Sequence, residues 1–365
     1  MLTTEQRSEA IHGLLLGIAI GDSLGLPREG LTRRAAARIF GVPPLKYRLW
    51  PGAGFYSDDT QLAFMAAQAI LQSRSQQDTF HRQFLRRLRW WVLSIPVGVG
   101  KGTFLAGLKV WVRGADKSQG VWSAGNGPST RALLLGVVLH NTGHRFLVWA
   151  KDSAAKTHRH PLAGDAAMAL ATTAQIAAVN PSGRLDSLSA LETIAGVVRD
   201  DKFRAQILEL RTFLEKRRSP RAVAVHFGWK RGISAFIVPT AIIAIYCFLR
   251  YPDNYRRAVE SAIMLGGDTD SVGAIVGGLV GAHIGAGALP KELVSGLADW
   301  PHDRDWIKDM ADRLAAWPHG VDDLLLAPAL PSYPPVQLLR NVLRWPLIFF
   351  HLLWRAPCWL RSVVN

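Results

Sequence analysis

Two short acidic clusters carry the residues best suited to chemistry. In "YSDDTQLAFMAAQAI", Ser57, Asp58, Asp59 and Thr60 stand immediately ahead of an apolar, helix-length run. In "MLGGDTDSVGAIVGGLVGA", residues 264–282, Asp268 and Asp270 follow paired glycines, and no other ionisable residue appears before His283. One aspartate at a helix start is ordinary, because it caps free N–H groups and favours the positive end of the dipole. A pair at each start exceeds what capping needs. Four carboxylates gathered by two helix mouths repel one another unless a cation neutralises them. Every candidate donor is a hard oxygen, with neither Cys nor His in either cluster, which selects Mg²⁺, with Mn²⁺ as the alternative, over Zn²⁺ or copper. Bridging carboxylates would allow two ions. Two capped helices in unrelated places are the competing reading of the same spacing. Gly266 and Gly267 favour a ligand, since they let the backbone approach it closely.

Three further segments could take part. "GDSLGLPREG" places Asp22 and Glu29 around a Gly-Pro turn that ends the first helix; Asp22 reads as a helix-end hydrogen bond, and Glu29 alone carries no assignment. "WSAGNGPSTR", residues 122–131, is a small-residue loop running into a helix. It suits backbone contacts to a phosphate or ribose, or is a plain turn. "KTHRHP" sets His158 and His160 before a proline, a pattern commoner on surface loops than among ligands.

These segments need helices to position them. Ala and Leu recur at helical spacing in "DTQLAFMAAQAILQ", "STRALLLGVVLH", "LAGDAAMALATTAQIAAV", "SAFIVPTAIIAIYCFLR" and "NYRRAVESAIML". Two-residue alternation is almost absent, and "RAVAVHFGW" is the one passable short strand. The predicted class is all-α. A composition break near Pro328, where "APALPSYPPVQ" carries four prolines, divides the chain. We expect a helical domain over 1–327, a Pro-rich linker over 328–335 and a basic, apolar tail over 336–365. The tail holds Arg340, Arg344, Arg355 and Arg361 and no acid. Its run "WPLIFFHLLW" is well short of the ~20 residues that cross a bilayer as a helix. It suits a helix lying on an anionic membrane surface, or a segment docked on the domain or on a protein partner.

With 365 residues, 49% of them hydrophobic and 19% charged, the chain reads as globular with a large core. Cys247 and Cys358 lie far apart, which argues against a disulfide framework and a zinc site and fits a reducing compartment. Glu5 and Glu9 ahead of a short, glycine-containing apolar run do not read as a signal peptide, so the expected location is cytoplasmic, or peripheral to a membrane through the tail. A net charge of +15 favours anionic partners and leaves nucleic acid open as one. "HRQFLRRLRWW", residues 81–91, invites that reading, but a helix with one apolar and one basic face explains it equally.

In their order along the chain, the segments resemble the ADP-ribosylglycohydrolase family. The resemblance rests on Gly-Asp-x-x-Gly-x-Pro-x-Glu at 21–29, Ser-Asp-Asp-Thr at 57–60, Ser-x-Gly-Asn-Gly at 123–127, Thr-His at 157–158 and Gly-Gly-Asp-Thr-Asp-Ser at 266–271. It implies a compact all-α fold with a binuclear magnesium centre in a cleft. It assigns Ser57, Asp58, Asp59, Asp268, Asp270 and Ser271 to the metals, with Asp58 and Asp59 also counted as catalytic. Glu29 falls where the family has an acidic residue implicated in acid–base work. Ser123, Gly125, Asn126 and Gly127 fall in the ribose- and phosphate-contacting loop, and His158 lines the ADP-ribose cleft. Ser57 and Ser271 stand where threonine is usual, and Thr130 where methionine is common. The implied activity is magnesium-dependent removal of ADP-ribose from a modified acceptor, foremost arginine on a protein, reversing an endogenous or toxin-catalysed modification. The alternative is an immunity protein that blocks an ADP-ribosyltransferase toxin by contact.

Overall fold

The protein is described by a computed structural model covering residues 2–117, 120–180, 182–317 and 334–364. The chain opens with α1 (Thr4–Gly25) and α2 (Arg33–Phe40), followed by α3 (Asp58–Leu71), α4 (Gln77–Trp91), α5 (Lys101–Lys117) and α6 (Ser129–Val138). It continues through α7 (Arg145–Ala155), α8 (Pro161–Val179), α9 (Ser187–Gly196), α10 (Asp201–Glu215) and α11 (Pro220–His226). The remaining helices are α12 (Ile237–Arg250), α13 (Tyr255–Ile263), α14 (Thr269–Ile284), α15 (Lys291–Gly296), α16 (Arg304–Ala316) and α17 (Pro334–Val364). The only paired strands among the described residues are β1 (Leu31–Thr32) and β2 (Gly266–Gly267), joined antiparallel. The all-α expectation holds.

Residues 221–229, the passable strand, depart from expectation: residues 220–226 form α11. Ser219 caps it by accepting from Ala222 N, and Pro220 takes the first helical position, where its missing N–H costs nothing. Val223 and Ala224 are buried as neighbours, which a strand facing one core would not allow. The Ser-Pro start signal outweighs the valines.

Helices α1 and α14 lie at the centre and are buried along almost their whole length. Small residues recur every fourth position on both, at Gly13, Gly17, Gly21 and Gly25 in α1 and at Gly273, Gly277 and Gly281 in α14. The two backbones meet along this stripe. A Cβ built on Gly13 would lie 2.0 Å from Gly281 O, one on Gly17 2.1 Å from Gly277 O, and one on Gly21 2.0 Å from Gly273 O. At the far end Gly25 lies against Thr269, whose hydroxyl donates to Gly25 O at 2.9 Å. The last turn of α1 is thereby laid on the first turn of α14. The Tyr255 hydroxyl from α13 donates to Gly17 O at 2.7 Å beside the same seam.

The expected Pro-rich linker lies largely outside the described residues, and α17 begins at Pro334 within it. Helix α17 docks on the domain through its polar side chains. Arg340 and Arg344 each make two hydrogen bonds of 2.5–2.8 Å to the buried Asp299 carboxylate. Asn341 Nδ2 donates to Ser94 O at 2.8 Å, and Trp345 Nε1 to Ile95 O at 3.0 Å.

Overpacking the helix seam should be costly because its nearest atoms are backbone. We expect Gly17→Ala to destabilise the fold by roughly 1–3 kcal/mol or more. Gly196→Ala, where no atom stands within 4 Å of the new Cβ, should be neutral or slightly stabilising. Urea unfolding of the two variants checks this; equal midpoints would remove the seam from its central role.

Candidate active site

Four local interactions bring the acidic residues together. Leu31 pairs with Gly267 and Thr32 with Gly266 in the short sheet, and Gly30 N donates to Gly267 O at 2.8 Å, so Glu29 is held beside the loop that bears Asp268 and Asp270. Gly266 and Gly267 both have positive φ, and a Cβ on Gly267 would lie 2.1 Å from Ile233 O; only glycine fits this crossing of three backbone segments. Asp22, at the end of α1, accepts from Ser57 N, Thr60 N and the Thr60 hydroxyl, the last at 2.6 Å. A residue of one helix thus satisfies the free amides of another and fixes where α3 begins. Finally, the Ser271 hydroxyl donates to Asp59 Oδ2 at 2.6 Å, and Thr130 Oγ1 donates to Asp59 O at 3.0 Å. Thr130, which stands where the resemblance sets methionine, therefore ties α6 to α3.

The result is a concentration of negative charge. One carboxylate oxygen each from Glu29, Asp268 and Asp270 can be chosen so that all three lie within 4.8 Å of one another. Asp58, Asp59 and Asp270 are buried, and Asp270 Oδ1 has no hydrogen-bond partner. Burial, reinforced by the neighbouring carboxylates, pushes Asp58, Asp59 and Asp270 well above the usual carboxylate range. Burial first and Asp268 second raise Glu29 to about 7, and burial raises Asp22 to about 6 against the opposing pull of its hydrogen bonds. An all-oxygen, anionic donor set with a buried oxygen lacking any donor is what a hard divalent cation requires. The residues present fit such an ion.

The acids line a cleft of about 560 Å³. The segment 98–103 runs along it. A Cβ on Gly98 would lie 2.8 Å from Asp58 Oδ1, whereas one on Gly102 would lie 2.6 Å from His158 Nε2 and 3.0 Å from Ser123 Oγ. The cleft therefore has an acidic end and an end built from His158, Ser123 and glycine backbone. His158 Nδ1 lies 2.9 Å from the Thr157 hydroxyl, which accepts from the fully buried Arg131, and burial lowers its pKa to about 3. The imidazole is neutral, with Nε2 facing the cleft. Gly125 and Gly127 complete this end, and the exposed Lys101 also lines the cleft.

A model of the ADP-ribosylglycohydrolase family matches residues 3–322. The chain belongs to the ADP-ribosylglycohydrolase family. It is an ADP-ribosyl glycohydrolase, a hydrolase of glycosidic linkages to ADP-ribose. It is 27% identical over 333 residues to "ADP-ribosylarginine hydrolase Tri1" of Pseudomonas putida, covering 88% of this chain and 82% of that one. It is 26% identical over 299 residues to the "ADP-ribosyl-[dinitrogen reductase] glycohydrolase" of Rhodospirillum rubrum, covering 78% and 89%. A solved "ADP-ribosylglycohydrolase-related protein complex" superposes with a TM-score of 0.58 at 25% identity, over 86% of this chain and 99% of that one.

In this glycohydrolase Glu29, Asp58, Asp59, Ser123, Gly125, Asn126, Gly127, His158, Asp268, Asp270 and Ser271 all line the one cleft. Ser57 stands behind Asp58 and accepts from Asp59 N at 3.3 Å as the cap of α3. Asn126 directs its amide to Asp268 Oδ2 at 2.6 Å and to Thr240 Oγ1 at 3.2 Å. The second histidine, His160, caps α8 by accepting from Leu162 N. Sequence reading missed the 98–103 segment, although the glycine spacing of "VGVGKGTF" before a helix was a usable signal. It also missed Ile233–Ala235, which carry no signal at all, and the reach of α17: His351 Nε2 and Arg355 Nη1 both donate to Pro27 O, two residues before Glu29.

Carboxyls with raised pKa values bind protons more tightly in the folded chain than in the unfolded one. Without metal, the cluster's contribution to stability is fully present below the ordinary carboxylate pKa of about 4 and is lost as pH rises toward 7. A bound cation removes that loss. The gain in Tm on adding Mg²⁺ or Mn²⁺ should therefore grow from pH 5 to pH 8, as measured by scanning calorimetry. A gain that is flat with pH would mean that these carboxyls are not the ligands.

Proposed function

We propose that this glycohydrolase removes ADP-ribose from arginine on modified protein, with Mg²⁺ held by Asp58, Asp59, Asp268, Asp270 and Glu29. The observation that carries the reading is the polarity of the cleft, acidic where Glu29, Asp268 and Asp270 converge and lined by His158 Nε2 and glycine backbone at the other end. The acidic end complements a guanidinium acceptor. The other end, built from glycine backbone that lets a ligand approach closely, suits a diphosphate, and Lys101 in the same lining offers it a cation. The relative named as an ADP-ribosylarginine hydrolase supports the same acceptor. A protein carrying such a modification, of endogenous or toxin-catalysed origin, is the corresponding partner.

When bound, a divalent cation supplies charge neutralisation and lowers the pKa of a coordinated water. The residues of the chain do the rest. Carboxylates around the anomeric carbon stabilise the positive charge that develops as the C–N bond to the acceptor lengthens. Glu29, converging with Asp268 and Asp270 at the acidic end, is placed to carry a proton between the water and the departing nitrogen. Asn126 and Ser271 hold Asp268 and Asp59 in place through their 2.6 Å hydrogen bonds. His158 offers a neutral ring, so it binds an oxygen without adding a fixed charge.

The experiment is release of ADP-ribose from arginine-modified protein. Release should require Mg²⁺, stop with EDTA, and fall by about 10²–10⁴-fold in kcat for Glu29→Gln, with ADP-ribose still raising the Tm of that variant. Asp268→Ala should lose both release and the metal-dependent Tm shift. Cleavage of another acceptor but not of arginine would overturn the acceptor assignment. Protection against a toxin by Asp268→Ala would favour action by contact.

A further inference from the structure

The tail helix has its amphipathicity turned inside out. Read from the sequence, its arginines would face an anionic surface. In the structure Arg340, Arg344 and Arg355 point inward, to Asp299 and to Pro27 O. The opposite face, at positions 339, 342, 343, 349, 350 and 353, is wholly apolar, and its Leu343, Phe349, Phe350 and Leu353 are between 57% and 69% exposed. These positions follow the i, i+3, i+4 spacing of a single helix face. The apolar surface extends onto the adjoining segment, where Leu93 is 49% and Ile95 52% exposed. Helix α2 packs beside it through Phe40, stacked on His351 at 5.3 Å, and carries the exposed Arg33, Arg34 and Arg38. Neither α17 nor α2 contains an acid.

We infer that this face is a docking surface for an anionic lipid bilayer. The apolar ridge would enter the headgroup region, and the arginines of α2 would meet lipid phosphates. Charge selects this occupant. A second copy of the chain would bring the same basic rim, on a molecule of net charge +15, against itself. A nucleic acid needs cations across the contact face, and here the face is Leu, Phe and Val. The helix lies on the membrane rather than across it: α17 is not among the described helices long and apolar enough to span. This proposal is independent of the acceptor named above.

The test is sedimentation of the full-length protein with vesicles of phosphatidylcholine alone and of phosphatidylcholine mixed with phosphatidylglycerol. Binding should require the anionic lipid and weaken with salt. Phe350→Glu and Leu343→Glu, at exposed positions, should each reduce binding about tenfold or more, with an unchanged Tm. Arg34→Glu combined with Arg38→Glu should reduce it on anionic vesicles as well. Failure to bind either vesicle, or binding indifferent to Phe350→Glu, would overturn the proposal. So would a concentration-dependent dimer that Phe350→Glu dissolves, seen by light scattering, since a second copy would then cover the face. Binding of single- or double-stranded nucleic acid through this face, with none to vesicles, would do the same.

Discussion

The near-contact of the α1 and α14 backbones is the constraint on which the rest of the structure depends. Two helices can cross this closely only where neither carries a Cβ at the crossing, and the matched glycines meet that condition over three turns. The consequence is positional. The end of α1 is pinned to the start of α14 through Gly25 and Thr269, so Asp22 and Glu29 from one helix end emerge beside Asp268 and Asp270 from the other helix start. Burial of apolar surface from α3, α6, α8 and α12 then encloses this pair as a core. A larger residue in the seam would separate the helices and the carboxylates with them.

The site built on this seam runs against ordinary folding preferences. Five acidic side chains share one pocket, three of them buried, and burial together with neighbouring carboxylates raises the proton affinity of Glu29, Asp58, Asp59 and Asp270. Such a cluster is tolerable only with protons or a cation to neutralise it. The fold limits the damage by giving several acids fixed partners. Asp22 is occupied by three donors, Asp59 by Ser271 and Asp268 by Asn126. Asp270 Oδ1 keeps none. The distribution separates structural acids, which hold helix starts, from those left with oxygen to offer a ligand.

Helix α17 lies beyond the region matched by the family model, yet it is fastened to the catalytic domain by buried charge. Asp299 with Arg340 and Arg344 forms a triad in which removal of one partner would strand the others without water, an arrangement that holds the helix in one register. From that register His351 and Arg355 reach Pro27, and a second pocket opens between α17 and Glu29. The tail is a wall beside the active site.

Much of the chemistry was legible in the sequence because it is local. Paired aspartates ahead of apolar runs, glycines at 266 and 267 and a small-residue loop pointed to residues that line the one cleft, and helical periodicity identified the class. Even Asp22 was readable as a hydrogen-bonding residue, though not as the cap of a helix distant in sequence. What only the tertiary structure decided were relations between segments. The glycine stripes on α1 and α14 are each visible alone, but their register with one another follows from packing. Segments 98–103 and 233–235 enter the cleft through backbone, which carries no side-chain signature. The outward turn of the tail's apolar face was settled by long-range pairing, since the buried Asp299 carboxylate is bonded by two arginines on the inner face of α17. Local spacing determined which groups could react; long-range packing and charge pairing decided which of them meet.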